Sequence, residues 1–233
     1  MYQIGDVKMD ELITALTTDS LFEPGNTKAW VLLKRFKYPW EALPHIKDFI
    51  IELSSLLEES DYNKLDNNVW IHKTANVAPT AFIGNCVIVG AGTRISHCAY
   101  IRDNILIGKN TGIGNSTEIK NSILFDNVQV PHFNYVGDSI LGYKSHFGAG
   151  VITSNVKSDS SLVCVSYGQQ RIETGLKKFG AIIGDRVEIG CNAVLNPGTI
   201  VGKDSNIYPL SSVRGYITPD SIYKRQGEVV QKF

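Results

Sequence analysis

Residues 71–119 read IHKTANVAPTAFIGNCVIVGAGTRISHCAYIRDNILIGKNTGIGNSTEI. A β-branched aliphatic residue recurs at every sixth position of this stretch, from Ile71 to Ile119, and a glycine often follows it, as at Gly84 and Gly90. A period of six fits neither the 3.6-residue repeat of a helix nor the two-residue alternation of an ordinary strand. It is typical of a parallel β-helix, in which three hexapeptides form one coil and each contributes one inward aliphatic side chain.

The same period returns between Ile183 and Val213, and a looser register with two steps of five residues joins the two runs. Counting the aliphatic positions predicts about seven coils. Branched side chains suit stacked inward positions, and we expect the adjacent glycines to permit tight corners and left-handed backbone conformations. We therefore predict a mainly β protein, with a hexapeptide-repeat β-helix over residues 71–233. A β-sandwich would instead show a period of two and turns every ~8–12 residues.

Residues 1–70 lack the repeat and predict a small helical region. Apolar residues recur three and four positions apart between Leu43 and Leu57, which predicts an amphipathic helix beginning after Pro44. A shorter helix is predicted near residues 9–17. We expect this region to cap the open end of the first coil, where backbone groups and apolar side chains would otherwise meet water. A module that binds a partner or a substrate is the alternative.

A long insertion, residues 154–181, interrupts the repeat with SNVKSDSSLVCVSYGQQRIETGLKKFGA. An insertion of this length inside a regular solenoid must leave it as a protruding loop. Loops longer than ~12–15 residues tend to be functional. We therefore favour a functional role for this loop over a tolerated surface insertion.

The composition excludes several classes of protein. The chain has 233 residues with 23 Lys and Arg against 23 Asp and Glu, so no basic excess favours nucleic-acid binding. No apolar run approaches the ~18–20 residues that span a bilayer, and residues 1–11 lack the pattern of a secretory signal. We expect a cytoplasmic protein without membrane or nucleic-acid partners. The four cysteines contain no CxxC pair, so we expect small buried hydrophobes.

Polar residues cluster where the hexapeptide register loosens. The chain reads PHFNYVGD at residues 131–138, preceded by YIRD at 100–103 and EIKN at 118–121 and followed by HFGAGVITSN at 146–155. The motifs HxxYxGD and GAGxITxN resemble the acetyltransferase half of the bifunctional enzyme of UDP-N-acetylglucosamine biosynthesis, which joins a glucosamine-1-phosphate N-acetyltransferase to a uridylyltransferase. The resemblance begins at about residue 71. It implies a left-handed β-helix, a homotrimer and acetyl-CoA as cosubstrate.

The resemblance also implies a role for individual residues on the acceptor side. His132 corresponds to the catalytic base, Arg102 and Lys120 correspond to residues that hold the sugar phosphate, and Lys178 corresponds to a lysine presented across the subunit boundary. The other residues implied to bind the acceptor are Tyr135, His146 and Asn155. His146 stands where the family has an asparagine, and this change leaves the identity of the acceptor open between a phosphorylated and a nucleotide-linked amino sugar.

On the donor side, the resemblance implies contacts with acetyl-CoA. Ala149 falls where the family uses a backbone N–H near the acetyl carbonyl, and Cys191 stands where the family has a small hydroxyl residue near the thioester. Arg225 lies near the position of an arginine that meets the coenzyme A phosphates.

These residue types suit acetyl transfer on chemical grounds alone. An ammonium group must lose a proton before it attacks a thioester, and an imidazole titrates near the working pH. A fixed backbone N–H stabilises the oxyanion that forms. An arginine presents a planar fork to phosphate, whereas a lysine presents a point charge.

Other functions are weighed against this hypothesis. Residues 1–70 contain only Gly5 and Gly25, hence no glycine-rich nucleotide loop, and uridylyltransferase activity is not expected. A non-catalytic protein that binds a sugar nucleotide, or a regulatory subunit, is the main alternative. A metal hydratase of the γ-carbonic-anhydrase type needs two histidines five positions apart. The five histidines contain no such pair, so no metal site is expected.

Overall fold

A computed structural model describes residues 9–232, and there the repeat winds into a parallel β-solenoid with three sheets. Each coil contributes one strand to each sheet, and partners in a sheet lie one coil apart. Val89 pairs with Ile107, and Ile95 pairs with Ile113. The predicted parallel hexapeptide solenoid is therefore confirmed, while its left-handed winding stays a prediction.

The strands are short and fall into three stacked sets. Sheet 1 contains Tyr62–Leu65, Val69–His72, Val87–Val89, Ile105–Ile107, Ser122–Leu124, Ile140–Leu141, Ala181–Ile183, Thr199–Val201 and Tyr216–Ile217. Sheet 2 contains Asn76–Val77, Arg94–Ile95, Gly112–Asn115, Gln129–His132, His146–Phe147, Glu188–Ile189, Asn206–Ile207, Ser221–Arg225 and Glu228–Gln231. Sheet 3 contains Phe82–Ile83, Tyr100–Ile101, Glu118–Lys120, Tyr135–Gly137, Ile152–Thr153, Val194–Leu195 and Ser212–Val213.

The solenoid is deeper than the repeat count predicts. Two sheets stack nine strands each within residues 9–232, and one end strand of each is antiparallel. The expectation of about seven coils is therefore slightly low, since the stack is about nine levels deep on two of its faces. The count fell short because the repeat continues beyond Val213 with uneven spacing, through the buried Ile217 and Tyr223.

Glycine and asparagine have different roles at the corners of the coils. A Cβ placed on Gly90 would lie 2.5 Å from the carbonyl oxygen of Gly108 in the next coil, so glycine there allows close approach of the coils. Neither Gly84 nor Gly90 has a left-handed backbone, contrary to the expectation from the sequence. Residues such as Asn110 (φ 52°) and Asn127 (φ 63°) adopt that conformation instead. Asparagine tolerates it because its short side chain hydrogen-bonds locally.

The outer face of sheet 1 is apolar, which distinguishes it from the other two sheets. Its strands carry consecutive apolar residues, and alternation along a strand turns the middle one outward. These outward side chains are at most 2% exposed: Ile88, Leu106, Ile123, Ile140, Ile182 and Ile200. Burying each contributes about 1.5–3 kcal/mol. This apolar stripe therefore requires a cover.

The amino-terminal helices supply much of that cover. They are Met9–Ala15, Thr18–Leu21, Trp30–Leu33, the 3₁₀ helix Pro39–His45 and Ile46–Ser54. The last helix contacts strands Val87–Val89 and Ile105–Ile107 of sheet 1. Two ring pairs extend the contact along the stripe, with centroids 4.7 Å apart for Phe22 and Phe125 and 6.0 Å apart for Trp40 and Phe179.

The helices thus lie along the flank of the solenoid, not over its open end as the sequence suggested. Inward residues of the first coil, Ile71 and Val77, stay only partly buried. Both predicted helices are present, and the amphipathic one ends at Ser54. Residues 1–8 of the predicted cap and residue 233 lie outside the described part of the chain. Among the described residues, no helix has the length and apolar character needed to cross a bilayer.

The insertion covers the carboxyl-terminal part of the same stripe. Strands Cys164–Tyr167 and Gln170–Glu173 form an antiparallel hairpin. Val163 and Val165 are fully buried, and the ring of Tyr167 lies 5.6 Å from that of Tyr216 in the last strand of sheet 1. The insertion therefore leaves the solenoid through exposed residues and then folds back against it.

A buried carboxylate fastens the amino-terminal segment to the solenoid. Asp185 accepts backbone N–H bonds from Glu23 (2.6 Å) and Tyr143 (2.7 Å), and its own N–H donates to the carbonyl of Leu21 (3.2 Å). Burial raises the pKa of Asp185 to about 6, although these N–H bonds and the charge of Arg186 act in the opposite direction. Because the folded state holds this proton more tightly than the unfolded chain does, ionisation of Asp185 destabilises the fold.

We predict that the contribution of Asp185 to the free energy of unfolding decreases as the pH rises from about 4 to about 6. In that window the folded carboxyl is protonated while the unfolded one is ionised. Denaturant unfolding of the wild type and Asp185→Asn at several pH values measures it, since the variant does not titrate at this position. Between these pH values, the free energy of unfolding of the wild type should fall by about 3 kcal/mol relative to that of the variant. A constant difference across this range would show that Asp185 is ionised throughout.

Candidate functional site

The edge between sheets 2 and 3 brings predicted catalytic and coenzyme A residues into one row. Backbone hydrogen bonds connect the corners of successive coils. The N–H of Gly150 donates to the carbonyl of His132 (3.0 Å), and that of Asn192 donates to the carbonyl of Ala149 (2.8 Å). Continuing the sheet 2 register along this edge gives what we call the edge row: His97, Asn115, His132, Ala149, Cys191, Pro209 and Arg225.

The coil spacing sets the distances along the edge row. Neighbouring strands of a sheet lie ~4.8 Å apart. Cys191 is two coils from His132, hence about 10 Å away, and Arg225 is four coils away, hence about 19 Å. Residues that are far apart in the sequence therefore form a straight track on the surface.

The His132 corner is held by its neighbour Asn134. Asn134 is 2% exposed; its side-chain oxygen accepts the N–H of His132 (3.0 Å), and its amide nitrogen donates to the carbonyl of Gly148 (2.7 Å). Phe133, between them, has a left-handed backbone (φ 53°) and an exposed ring. The imidazole of His132 is exposed and makes no hydrogen bond to other residues of the 9–232 segment. A fixed backbone thus presents an unengaged imidazole to solvent.

The next two coils of the edge row present an N–H and a thiol. The N–H of Ala149 finds no acceptor within the described residues, so it is available to a ligand. Cys191 is exposed, as is Cys98 on the same edge, whereas Cys86 is buried. The expectation of small buried cysteines is therefore wrong for Cys98 and Cys191, because corner positions point away from the core.

A buried carboxylate organises the predicted acceptor residues at the far end of sheet 3. Asp138 is 4% exposed and lies 3.0 Å from the ammonium of Lys120. The side-chain amide of Asn121 donates to Asp138 Oδ1 (2.9 Å), and that of Asn155 donates to Oδ2. A buried carboxylate requires such partners. Lys120 and Asn155 are therefore brought together by Asp138, a residue for which the sequence analysis proposed no role.

The second predicted cation is also paired. Arg102 donates from Nη1 to Glu118 (3.0 Å), which holds the pKa of Arg102 above its usual range. Tyr135 lies beside Glu118 in the sheet 3 register. Burial raises the pKa of Tyr135, and the charges of Asp138 and Glu118 raise it further. Arg102 and Lys120 thus each have a carboxylate partner, and the four charges balance.

Three predicted residues lie apart from this cluster. His146 lies on the outer face of sheet 2, where its Nδ1 is 2.7 Å from Glu188, so the edge row separates it from Tyr135. Arg225 pairs with Glu228 at 2.7 Å. Lys178 is exposed and precedes a residue whose N–H donates to the carbonyl of Asn155 (3.0 Å). Within residues 9–232, no cluster of three His, Cys, Asp or Glu side chains is arranged to hold a metal ion.

We predict that Asp138→Asn lowers the pKa of Tyr135. Removing the neighbouring negative charge favours ionisation of the phenol. Carbon-13 NMR titration of ring-labelled tyrosine measures the shift, and Tyr135→Phe assigns the signal. Asp204→Asn, which removes a carboxylate paired with Arg186 elsewhere, is the matched control and should leave Tyr135 unchanged. An unaltered titration in Asp138→Asn would mean that Asp138 does not act on this phenol.

Sequence comparison finds a family model and several relatives that match part of the chain. Residues 91–166 match the model of the GMPPB C-terminal domain. Bifunctional protein GlmU of Methanococcus maripaludis strain C5 is 36% identical over 111 residues, which are 47% of this chain and 27% of that protein. Bifunctional protein GlmU of Staphylococcus epidermidis is 30% identical over 166 residues, which are 71% of this chain and 33% of that protein. The chain thus spans about a third or less of the length of these relatives.

Matches to solved structures have lower sequence identity. The acetyltransferase domain of PglB from Neisseria gonorrhoeae, in complex with acetyl coenzyme A, is 19% identical with a TM-score of 0.28; the match covers 66% of this chain and 54% of that one. GDP-perosamine N-acetyl transferase from Caulobacter crescentus, in complex with CoA and GDP-perosamine, is 19% identical with a TM-score of 0.30, over 66% and 51% of the two chains. The sequence matches and the coil register make this chain a hexapeptide-repeat β-solenoid protein similar to GlmU proteins.

Proposed function

We propose that the protein is an N-acetyltransferase that moves an acetyl group from acetyl-CoA to the amine of a phosphorylated or nucleotide-linked amino sugar. The observation that carries this proposal is the edge row, which lines up His132, Ala149, Cys191 and Arg225 at one residue per coil. The sequence similarity to GlmU proteins, and to a bifunctional sugar-1-phosphate nucleotidylyltransferase/acetyltransferase of Sulfurisphaera tokodaii (37% identical over 87 residues, 37% of this chain and 22% of that protein), supports it.

The donor lies along the carboxyl-terminal half of the edge row in this proposal. The acetyl group sits beside His132 and Ala149, and the thioester sulfur passes Cys191. The extended pantetheine arm then runs toward the last coil. Among residues 9–232, Arg225 hydrogen-bonds to Glu228 through Nε alone, so its two terminal nitrogens are available to phosphate. Exposed ion pairs of this kind weaken with salt.

The acceptor crosses sheet 3 from His132 toward Arg102 and Lys120. Both cations already have carboxylate partners, at 3.0 Å each, so a phosphate bound there needs a further positive charge. Lys178 is exposed and has no ion-pair partner among the described residues. We assign Lys178 to the site of a neighbouring protomer in a homotrimer, as the resemblance to the acetyltransferase half of the bifunctional enzyme implies. His146 lies across the edge row from Tyr135, and it too reaches an acceptor only across a subunit boundary.

The reaction needs one proton acceptor and one oxyanion donor. His132 takes a proton from the sugar ammonium, and the free amine attacks the thioester carbonyl carbon. The N–H of Ala149 stabilises the oxyanion of the tetrahedral intermediate. The intermediate collapses as the carbon–sulfur bond breaks, its nitrogen loses its second proton to water, and the neutral amide remains. The coenzyme A thiolate leaves and is protonated by the imidazolium of His132, which restores the base.

We predict that His132→Ala lowers kcat by about 10²–10⁴, because general-base catalysis contributes a factor of this size. His146→Asn restores the residue of the similar enzymes and should retain most of the activity, with an altered acceptor preference. Release of coenzyme A in the presence of a panel of amino sugars, glucosamine-1-phosphate first, measures both variants.

Light scattering is the control for assembly. Wild type and both variants should have a mass of about three times 25.7 kDa. An active His132→Ala together with an inactive His146→Asn would transfer the role of base to His146. A wild-type monomer without acetyl-CoA binding would contradict the transferase proposal.

A further inference from the structure

Two aromatic rings stand exposed on the amino-terminal side of the acceptor residues. Phe82 is 58% exposed and Tyr100 is 45% exposed. Their centroids are 5.4 Å apart in an edge-to-face arrangement. Both lie on the outer face of sheet 3, and the register continues from Tyr100 to Glu118 and on to Tyr135. Tyr100 lies in the coil of Arg102, and Phe82 therefore extends the acceptor surface by one further coil away from His132.

Charged and polar groups border the two rings. The guanidinium carbon of Arg102 lies 5.9 Å from the centre of the Tyr100 ring. A cleft of about 360 Å³ is lined by Phe82, Tyr100, Arg102 and Asp103 together with other residues of these coils. Asp103 uses Oδ1 to accept two hydrogen bonds from Asn85, at 2.7 and 2.9 Å, while its Oδ2 accepts none within residues 9–232. The cleft thus combines aromatic faces, a cation and an open carboxylate oxygen.

We infer that the acceptor is a nucleoside diphosphate-linked amino sugar, and this inference rests on the proposed function. The base stacks on Tyr100 and Phe82, and the diphosphate lies beside Arg102 and Lys120. The ribose hydroxyls donate to Asp103. Aromatic side chains bind any base through its π face, so this surface favours a nucleotide without fixing which one.

The span of the surface separates this acceptor from a simple sugar phosphate. From the coil of His132 to Phe82 there are three coil spacings, about 14 Å. A sugar phosphate with its amine at His132 ends at Arg102 and Lys120, in the coil of Tyr100 and the next one, and carries no base to stack on either ring. Only an acceptor that continues beyond its first phosphate reaches Phe82, one coil further.

Calorimetric titration of the intact protein with UDP, GDP, inorganic pyrophosphate and glucosamine-1-phosphate tests the inference. Both nucleotides should bind at least tenfold more tightly than pyrophosphate. Tyr100→Leu and Phe82→Leu should weaken UDP binding by about 5- to 100-fold, the range for loss of one base–aromatic stack. Tyr100→Phe should retain it. Affinity for glucosamine-1-phosphate should be the same in all of these proteins.

Tyr143→Leu is the matched control, since Tyr143 is a partly exposed tyrosine at a corner of the helix-covered side, and UDP binding should be unchanged. Equal affinity for UDP and pyrophosphate, or unaltered UDP binding by Tyr100→Leu, overturns the inference. Loss of the assembly in Tyr100→Leu also overturns it, because the rings would then be a contact between copies of the chain. Turnover of glucosamine-1-phosphate in these outcomes would leave the proposed function standing, whereas no transfer to any amino sugar would remove it.

Discussion

The burial of both faces of sheet 1 constrains which surfaces of the solenoid can bind large ligands. The inward side chains of that sheet fill the solenoid, and the outward ones, from Ile88 to Ile200, form an apolar stripe that water would otherwise contact. The amino-terminal helices and the insertion hairpin both pack on this stripe. The outer face of sheet 1 therefore serves to stabilise the fold. Sheets 2 and 3, and the edge between them, are left for ligands.

The edge between sheets 2 and 3 presents a straight row of side chains at regular spacing. A solenoid repeats each corner once per coil, so one substitution per coil creates a row of chemically different groups at a constant spacing. His132 lies in the middle of the edge row. In the proposed function, the donor extends from it toward Arg225, and the acceptor extends the other way toward Tyr100. Two long substrates can thus meet at one imidazole without competing for surface.

The repeat made the solenoid predictable, and coil arithmetic could have predicted more. Lys120 and Asp138 are 18 residues apart. The local coil has 17 residues, so Asp138 directly follows Gly137, the residue that pairs with Lys120, and coil arithmetic places the two charges close together. The consecutive apolar residues of VIV and ILI at 87–89 and 105–107 signal burial on both faces. With this signal, the sequence would have predicted that the helices lie along the flank of the solenoid and not over its open end.

Other features depend on contacts that no period encodes. The pairing of His146 with Glu188 spans 42 residues, because the insertion lies between them. Its hairpin folds back through Val163 and Val165, which a local pattern cannot distinguish from a protruding loop. The sequence could not show that Asp185 is buried and joins the amino-terminal segment to the solenoid, since its partners are backbone groups of Glu23 and Tyr143.

The central claim is that acetyl-CoA lies on the carboxyl-terminal half of the edge row, and the two exposed cysteines of this edge test it directly. Cys191 lies on the donor side of His132, and Cys98 lies on the opposite side. Alkylation by iodoacetamide, followed residue by residue with mass spectrometry, should slow several-fold at Cys191 when acetyl-CoA saturates the protein. The rate at Cys98 should stay unchanged. Protection of Cys98 alone, or of neither cysteine while acetyl-CoA is bound, would contradict the account.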